Sequence, residues 1–147
     1  MKKNFKKIFF FFIVFYSTFN SAYALENKIL FKINNEIITS FDLFYEIEYL
    51  KLLNENINNL ENEKVIEIGK NSILRDKIKE QELLKYYETI EIDKNYFDLL
   101  ILNLLKKLKL QTIKDLEKVV NNKNINMLFI KKKISKEALW NQLIIAK

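Results

Sequence analysis

The chain has 147 residues and a net charge of +6, with 25 Lys and Arg against 19 Asp and Glu, and it contains no His, no Cys and one Gly. This composition lacks the residues of Ser-His-Asp and Cys-His nucleophile systems and of an ordinary zinc site, and one glycine is too few for a phosphate-binding loop or a dinucleotide fingerprint. No catalytic, cofactor-binding or metal-ligating residue is therefore predicted. Neighbouring carboxylates such as Glu46 with Glu48 point to different sides of a helix, and a carboxylate pair assembled from distant segments is left open.

The first 24 residues have the pattern of a secretory signal peptide. A basic start with four lysines precedes the apolar run of residues 8–16, and the small residues Ala22 and Ala24 stand at the −3 and −1 positions. We therefore predict cleavage after Ala24 and export to the periplasm. An uncleaved membrane anchor is the disfavoured alternative, because a span needs about 20 apolar residues.

Removal of this segment changes the charge of the chain. Residues 1–24 hold four of the 25 basic residues and no acid, so the net charge falls from +6 to +2. Nucleic-acid binding then loses its main support, since the basic patch that it requires is absent from the remaining composition. Residues 25–147 are long enough for one domain with a hydrophobic core, and we expect no stable membrane span after cleavage.

Residues 29–43 predict a β-hairpin that leads directly into a helix. Two short runs rich in β-branched residues flank Asn34 and Asn35, a pair that tolerates the positive φ of a tight turn. Ser40 is predicted to cap the helix, and Asp42 places a favourable negative charge in its first turn.

The first helix is expected from Phe41 to about Asn54. Its charged residues are predicted to face outward, because apolar residues recur at helical spacing on the other side; they are Glu46, Glu48 and Lys51. The polar stretch of residues 54–59 is predicted to form a surface loop.

The second helix, from about Lys64 to Tyr87, is the longest. Its charged residues, among them Lys77 and Glu80, predict an ordinary solvated face. Gly69 indicates either a close crossing with another helix or neutral drift, and both interpretations are kept, since a glycine within a helix costs about 1 kcal/mol relative to Ala. The predicted buried face consists of apolar residues at helical spacing: Ile66, Ile73, Leu74, Ile78 and Leu84.

The third helix is expected from Lys94 to about Leu108, with Asp93 as its N-cap. Leu99 and Leu102 lie opposite its main apolar face. An exposed row of leucines can mark a surface that contacts a client or partner, whereas burial under the C-terminal helix is the favoured explanation on general grounds. Leu99 and Leu102 are the candidate contact residues.

Two further helices complete the predicted chain. Thr112 begins the fourth, and Asp115 three residues later gives a pattern close to a capping box. The last helix is expected from about Asn126 to the end of the sequence. Its lysine run, residues 131–133, is predicted to be a solvated face.

The order of these motifs resembles the N-terminal domain of SurA-like periplasmic chaperones. Residues 29–43 resemble the family's opening strand, turn and helix start; residues 73–83 resemble its leucine-containing basic helix; and residues 90–93 resemble the lead-in to its next helix. The similarity covers essentially all of residues 26–147. It implies a mostly α fold, with a small N-terminal β-hairpin followed by about five helices.

The chain departs from the family pattern in two places. Thr89 stands where the family often has a glycine, and the sequence contains no segment that matches the parvulin-type isomerase domains and C-terminal helix into which family members usually continue. No parvulin active-site residue is therefore carried over to this chain.

The resemblance implies a protein that works by binding. In that family the N-terminal domain binds unfolded outer-membrane proteins through aromatic-rich extended segments, so we expect a periplasmic chaperone that prevents their aggregation, without a cofactor. One alternative is a non-catalytic N-terminal fragment of a parvulin-type peptidyl-prolyl isomerase that continues beyond Lys147. Another is an adaptor that holds one partner through Leu99 and Leu102. A homodimer in which a second copy supplies the missing helix is also compatible with the sequence.

Overall fold

A computed structural model describes residues 27–146, so the predicted signal peptide of residues 1–24 lies outside the described residues. The described chain is a two-stranded antiparallel hairpin followed by five α-helices and one short 3₁₀ helix, Glu55–Asn59. This architecture confirms the predicted fold class, a mostly α domain with a small N-terminal hairpin. The elements in chain order are β1 (Ile29–Ile33), β2 (Glu36–Thr39), α1 (Ser40–Leu53), α2 (Asn62–Leu83), α3 (Lys94–Lys107), α4 (Ile113–Asn122) and α5 (Met127–Ala146).

The hairpin turns where it was predicted to turn. Ile33 pairs with Glu36 across the two-residue connection, and Asn34 has a φ of 53°. Asparagine tolerates this left-handed backbone because its short polar side chain can hydrogen-bond locally.

The N-cap of α1 is Thr39, so the prediction of Ser40 was wrong by one residue. The Thr39 hydroxyl accepts from the Asp42 N–H at 3.3 Å, and the Asp42 carboxylate accepts from the Thr39 N–H at 2.8 Å. In a reciprocal capping box the cap residue lies three residues before the acidic residue. Thr39 has this spacing to Asp42, and Ser40 does not. The Ser40 hydroxyl instead accepts from the backbone N–H of Lys28 at 3.0 Å.

The starts of α3 and α4 agree with the sequence prediction. The Asp93 carboxylate accepts from the Tyr96 N–H at 3.0 Å, and Thr112 forms a capping box with Asp115. Two other boundaries differ. The polar stretch predicted as a loop contains the 3₁₀ helix. Helix α2 ends at Leu83 rather than Tyr87, because the backbone tightens there into turns in which the N–H groups of Lys85 and Tyr86 bond to the carbonyls three residues before them.

The apolar side chains form three clusters. The largest joins α1, α3, α4 and α5 through Leu52, Ile101, Leu105, Leu116, Val120, Ile125 and Ile130. A second cluster packs the hairpin onto α1 and α2 through Ile38, Leu43 and Ile73, and a third joins the end of α2 to α5 through Leu83, Leu139 and Leu143. The hairpin and α5 therefore both pack against α2, on which the site described below is built.

The buried face of α2 differs from the predicted one. Of the predicted residues only Ile73 is buried, and the other four are exposed. The buried face instead contains Val65, Gly69 and Leu83. A Cβ atom at Gly69 would lie 2.8 Å from side-chain carbons of both Leu43 and Ile47 on α1. The glycine thus marks a close helix crossing, which decides between the two interpretations of that residue.

Among residues 27–146, no helix is both long and apolar enough to cross a membrane.

Candidate functional site

An open groove of about 550 Å³ lies between β2, the C-terminal half of α2, residues 89–91 and the N-terminal half of α5. Its apolar walls are formed by residues from each of these elements: Ile37, Ile38, Ile73, Leu84, Ile90, Leu128 and Phe129. Its charged lining residues are Asp42, Glu46, Asp76, Lys77, Glu80, Glu91, Lys131, Lys132, Lys133 and Lys136. We call this feature the groove.

The apolar walls of the groove are accessible to solvent at three large side chains. Ile37 is 50% exposed, Leu84 is 53% exposed and Leu128 is 60% exposed. These residues come from β2, the end of α2 and the first turn of α5, so they stand on different sides of the opening. Exposed apolar side chains that line a groove are a common feature of protein-binding sites.

A network of buried charges underlies the groove. Lys133 of α5 places its Nζ 2.5 Å from the Glu46 carboxylate and 3.2 Å from that of Asp76. The Glu46 and Lys133 side chains are only 3% and 9% exposed. The Ser72 hydroxyl donates to Glu46 at 2.6 Å. Each buried charge therefore has an opposite charge beside it, which burial requires.

A second lysine of α5 extends the network toward the hairpin. Lys136 contacts the carboxylates of Asp76 and Glu80, each at 2.7 Å. Lys77 in turn lies 3.2 Å from Glu80 and pairs with Glu36 at the start of β2. The network thus links β2, α1, α2 and α5, the four elements that hold most of the groove.

These contacts determine the ionisation of the carboxylates. Burial alone would raise the pKa of Asp76, but the positive charges of Lys133 and Lys136 outweigh it and hold the pKa below its ordinary value. The pKa of Glu80 is also lowered, because Lys136 and Lys77 outweigh the effect of burial. Burial would lower the pKa of Lys77, yet its bonds to the two glutamates raise it. Asp76, Glu80 and Lys77 therefore stay charged near neutral pH.

Aromatic side chains surround the innermost part of the network. The Lys133 ammonium lies 5.6 Å from the ring centroids of both Tyr49 and Phe129, a distance at which a cation is attracted to a ring face. Burial, followed by the negative charge of Glu46, raises the pKa of the Tyr49 phenol. Tyr49 therefore stays protonated, and its neutral ring lies beside the buried Lys133 ammonium.

The structure corrects several predictions about charged residues. Glu46 was predicted to face outward and is buried; Glu48 and Lys51 are partly buried, and the Glu48 carboxylate lies 2.9 Å from Lys51 and 3.3 Å from Lys123. Lys133 was placed on a solvated face, as were Lys77 and Glu80, yet all three belong to the network. Within the lysine run the solvated face is confirmed for Lys131 and Lys132, which are exposed, and on α2 it is confirmed for Glu63, Glu67 and Lys70.

Each of the three carboxylates beneath the groove is held by at least one lysine. Within residues 27–146, no group of three or more potential metal-ligating acidic side chains converges.

The structure places the candidate contact residues away from the groove. Leu99 and Leu102 are 56% and 55% exposed on α3, so the expectation that the C-terminal helix buries them was wrong. Neither lines the groove, and their role in client or partner contact stays a prediction.

Sequence reasoning missed the groove itself, although one signal for its network was present. Asp76 and Glu80 share a face of α2 at a spacing of four residues, while Lys133 and Lys136 share a face of α5 at a spacing of three. Two helices with complementary charges at such spacings can pack side by side.

Comparison with known proteins gives no relative: no protein-family model, curated protein or solved structure matches the chain.

Proposed function

We propose that the chain is a periplasmic chaperone that binds unfolded outer-membrane proteins and prevents their aggregation. The proposal rests on the groove. Its exposed apolar side chains lie beside the lysines and carboxylates of the network, which already form ion pairs with one another. An unfolded polypeptide can bury apolar side chains against Ile37, Leu84 and Leu128 without displacing an ion pair. The predicted signal peptide of residues 1–24 supports export to the periplasm, and the resemblance of residues 26–147 to the SurA-like N-terminal domain supports the class of client.

The size of the apolar surface supports weak, reversible binding. Complete burial of a Leu or Ile side chain is worth about 1.5–3 kcal/mol, and the three side chains are about half exposed, so closing them contributes about 2–5 kcal/mol before the client's ordering entropy is subtracted. The binding energy that remains is small. A chaperone needs this property, because it must release its client.

Aggregation of an outer-membrane β-barrel protein tests the proposal. The barrel protein is diluted from urea with and without the purified protein, and light scattering is followed over time while proline isomerisation is assayed in parallel. Suppressed scattering without isomerase activity is expected. A well-folded sample that leaves scattering unchanged would refute the chaperone proposal and would favour the alternatives, a non-catalytic isomerase fragment or a partner-binding adaptor.

A pair of matched variants locates the activity. Leu84→Asp with Leu128→Asp places charge on the groove walls and should abolish suppression. Leu99→Asp with Leu102→Asp changes two leucines of similar exposure on another surface and should preserve it. Far-ultraviolet circular dichroism confirms that both variants fold.

The exposure of Leu99 and Leu102 favours a second candidate, an adaptor that holds one specific partner through this row. Under that function the Leu99→Asp, Leu102→Asp variant loses a stoichiometric complex that the wild-type protein forms in the cell envelope. An unchanged complex in this variant would exclude the leucine row as the contact.

A further inference from the structure

The side of the groove formed by the hairpin is an open strand edge. The pair Ile33 and Glu36 closes the two-residue turn, and hydrogen-bonded and non-bonded pairs alternate along an antiparallel ladder, so Lys32 and Ile37 form a non-bonded pair. The N–H and C=O of Ile37 therefore point away from β1. Residues of β2 line the groove and residues of β1 do not, which places this edge on the groove side.

The open edge is short. The N–H of Thr39, the next outward group of β2, is already bonded to the Asp42 carboxylate at 2.8 Å. No other described element forms a backbone hydrogen bond with Ile37. The edge can thus pair with one residue of an incoming strand, through two main-chain hydrogen bonds.

The lining of the groove holds five lysines and five acidic residues, and two of the lysines are not part of the network. Lys77, Lys133 and Lys136 are occupied by the network, whereas Lys131 and Lys132 form no ion pair with any residue in the described range. Lys131 lies 5.9 Å from the ring centroid of Phe97, and both lysines are exposed.

The acidic side chains of the lining are as many as its lysines, so the formal charges of the lining sum to zero. Four of them are already bonded: Glu46, Asp76 and Glu80 to lysines, and Asp42 in the capping box. Glu91 is the one lining acid for which no ion pair is seen among the described residues. Lys131 and Lys132 are therefore the lining cations with which an incoming carboxylate can pair without breaking an ion pair of the network.

These observations together specify the bound segment. We propose that the groove binds an extended polypeptide strand that pairs with Ile37 and carries an acidic side chain beside Lys131 and Lys132. Side chains of a strand alternate in direction, so apolar residues of the client meet Leu84 and Leu128 while the polar residues between them reach the two lysines. The inference rests on the proposed function, for which it names the chemistry of the client.

Binding of short fluorescent peptides tests the inference by anisotropy at low salt. The first peptide alternates apolar residues with polar residues that include glutamate; the second has lysine in place of each glutamate; the third is the first with its central backbone nitrogen methylated. The acidic peptide should bind about tenfold more tightly than the basic one, because each exposed pair contributes a few-fold. Methylation should weaken binding about fivefold, since it removes a main-chain hydrogen bond.

A charge-reversed variant and its control assign the effect to Lys131 and Lys132. Lys131→Glu with Lys132→Glu should remove or reverse the preference for the acidic peptide. Lys106→Glu with Lys107→Glu changes an exposed lysine pair on α3, outside the groove, and should leave the preference unchanged. An unchanged preference in the first variant, or equal binding of the methylated peptide, would overturn the inference.

Light scattering on the same samples separates this inference from the proposed function. Suppressed aggregation without peptide selectivity overturns the strand and charge preference alone. Selective peptide binding without suppressed aggregation overturns the chaperone function alone. Absence of both effects overturns both.

Discussion

Gly69 lets α1 and α2 approach closely, and the substitution Gly69→Ala tests this contact. The added Cβ would lie 2.8 Å from Cδ1 of Leu43 and 2.8 Å from Cγ1 of Ile47. The leucine carbon is at the end of a flexible side chain and can rotate away. The isoleucine carbon is attached to a β-branched centre with one strongly preferred rotamer in a helix, so it moves only if the helix moves.

Two opposing effects determine how much Gly69→Ala changes the free energy of unfolding. Replacing a glycine within a helix by alanine gains about 1 kcal/mol from helix propensity, whereas overpacking a core contact costs about 1–3 kcal/mol. We expect a net loss of about 1 kcal/mol in the free energy of unfolding, which lowers the melting temperature by about 3–6 °C for a domain of this size.

Urea unfolding followed by circular dichroism measures the change. The substitution Ile47→Ala removes the obstructing carbon, so in that background Gly69→Ala should be neutral or stabilising, with a coupling of about 1–2 kcal/mol between the sites. Asn71→Ala, at an exposed position of α2, is the control and should be slightly stabilising. A more stable Gly69→Ala protein, or an equal cost in both backgrounds, would refute the close-crossing argument.

Three further predictions concern stability. The pKa values of Asp76 and Glu80 are lowered in the folded state, so the unfolded chain binds more protons at acid pH. The free energy of unfolding should therefore decrease below about pH 4.5, the ordinary pKa of Glu. It should continue to fall as the pH drops through the folded-state pKa values. Lys133→Met should cost about 3–5 kcal/mol in urea unfolding, since it removes a buried cation from between two carboxylates, whereas Lys132→Met should change stability by less than about 0.5 kcal/mol. Thr112→Ala should cost about 1 kcal/mol in the same assay through loss of the N-cap of α4.

These predictions have distinct contradicting results. A melting temperature that is constant from about pH 6 down to about pH 3 would contradict the role of the two carboxylates. Equal effects of the substitutions at Lys132 and Lys133 would contradict the buried network. Thr89→Ala, at an exposed threonine that caps no helix, is the control for Thr112→Ala and should leave stability nearly unchanged.

The elements that could be predicted from sequence have local causes. The turn at Asn34 and the helix starts at Asp93 and Thr112 depend on residues within three positions of one another, so their signals are contained in short segments. The wrong N-cap prediction for α1 also concerns a short segment. Thr39 and Ser40 are adjacent hydroxyl residues, and only the distance to Asp42 along the chain distinguishes them.

The buried face of α2 could not be predicted because it depends on the packing partner. Apolar residues occur on more than one side of this helix, and periodicity alone does not choose between the row of Ile66 and that of Val65. Gly69 decides which side of α2 is buried, because the absence of a side chain lets α1 pack closely against the side on which the glycine lies.

The charge network was missed for a related reason. A charged residue in a helical pattern is normally assigned to solvent, and that rule fails where tertiary structure supplies an opposite charge. Glu46 and Lys133 lie far apart in sequence, and their pairing appears only when α1 and α5 are brought together. The groove combines segments from β2 to α5, so it too depends on the assembled fold.

The position of Lys133 and Lys136 on α5 has a consequence for the order of folding. The carboxylates that they neutralise are synthesised first, on α1 and α2, and Glu46 cannot be buried without a large cost while it lacks a cation. A chain that emerges from its N-terminus therefore keeps this region hydrated until residues 127–146 are present. Docking of α5 pairs the buried carboxylates, so the binding surface forms only after residues 127–146 have been synthesised.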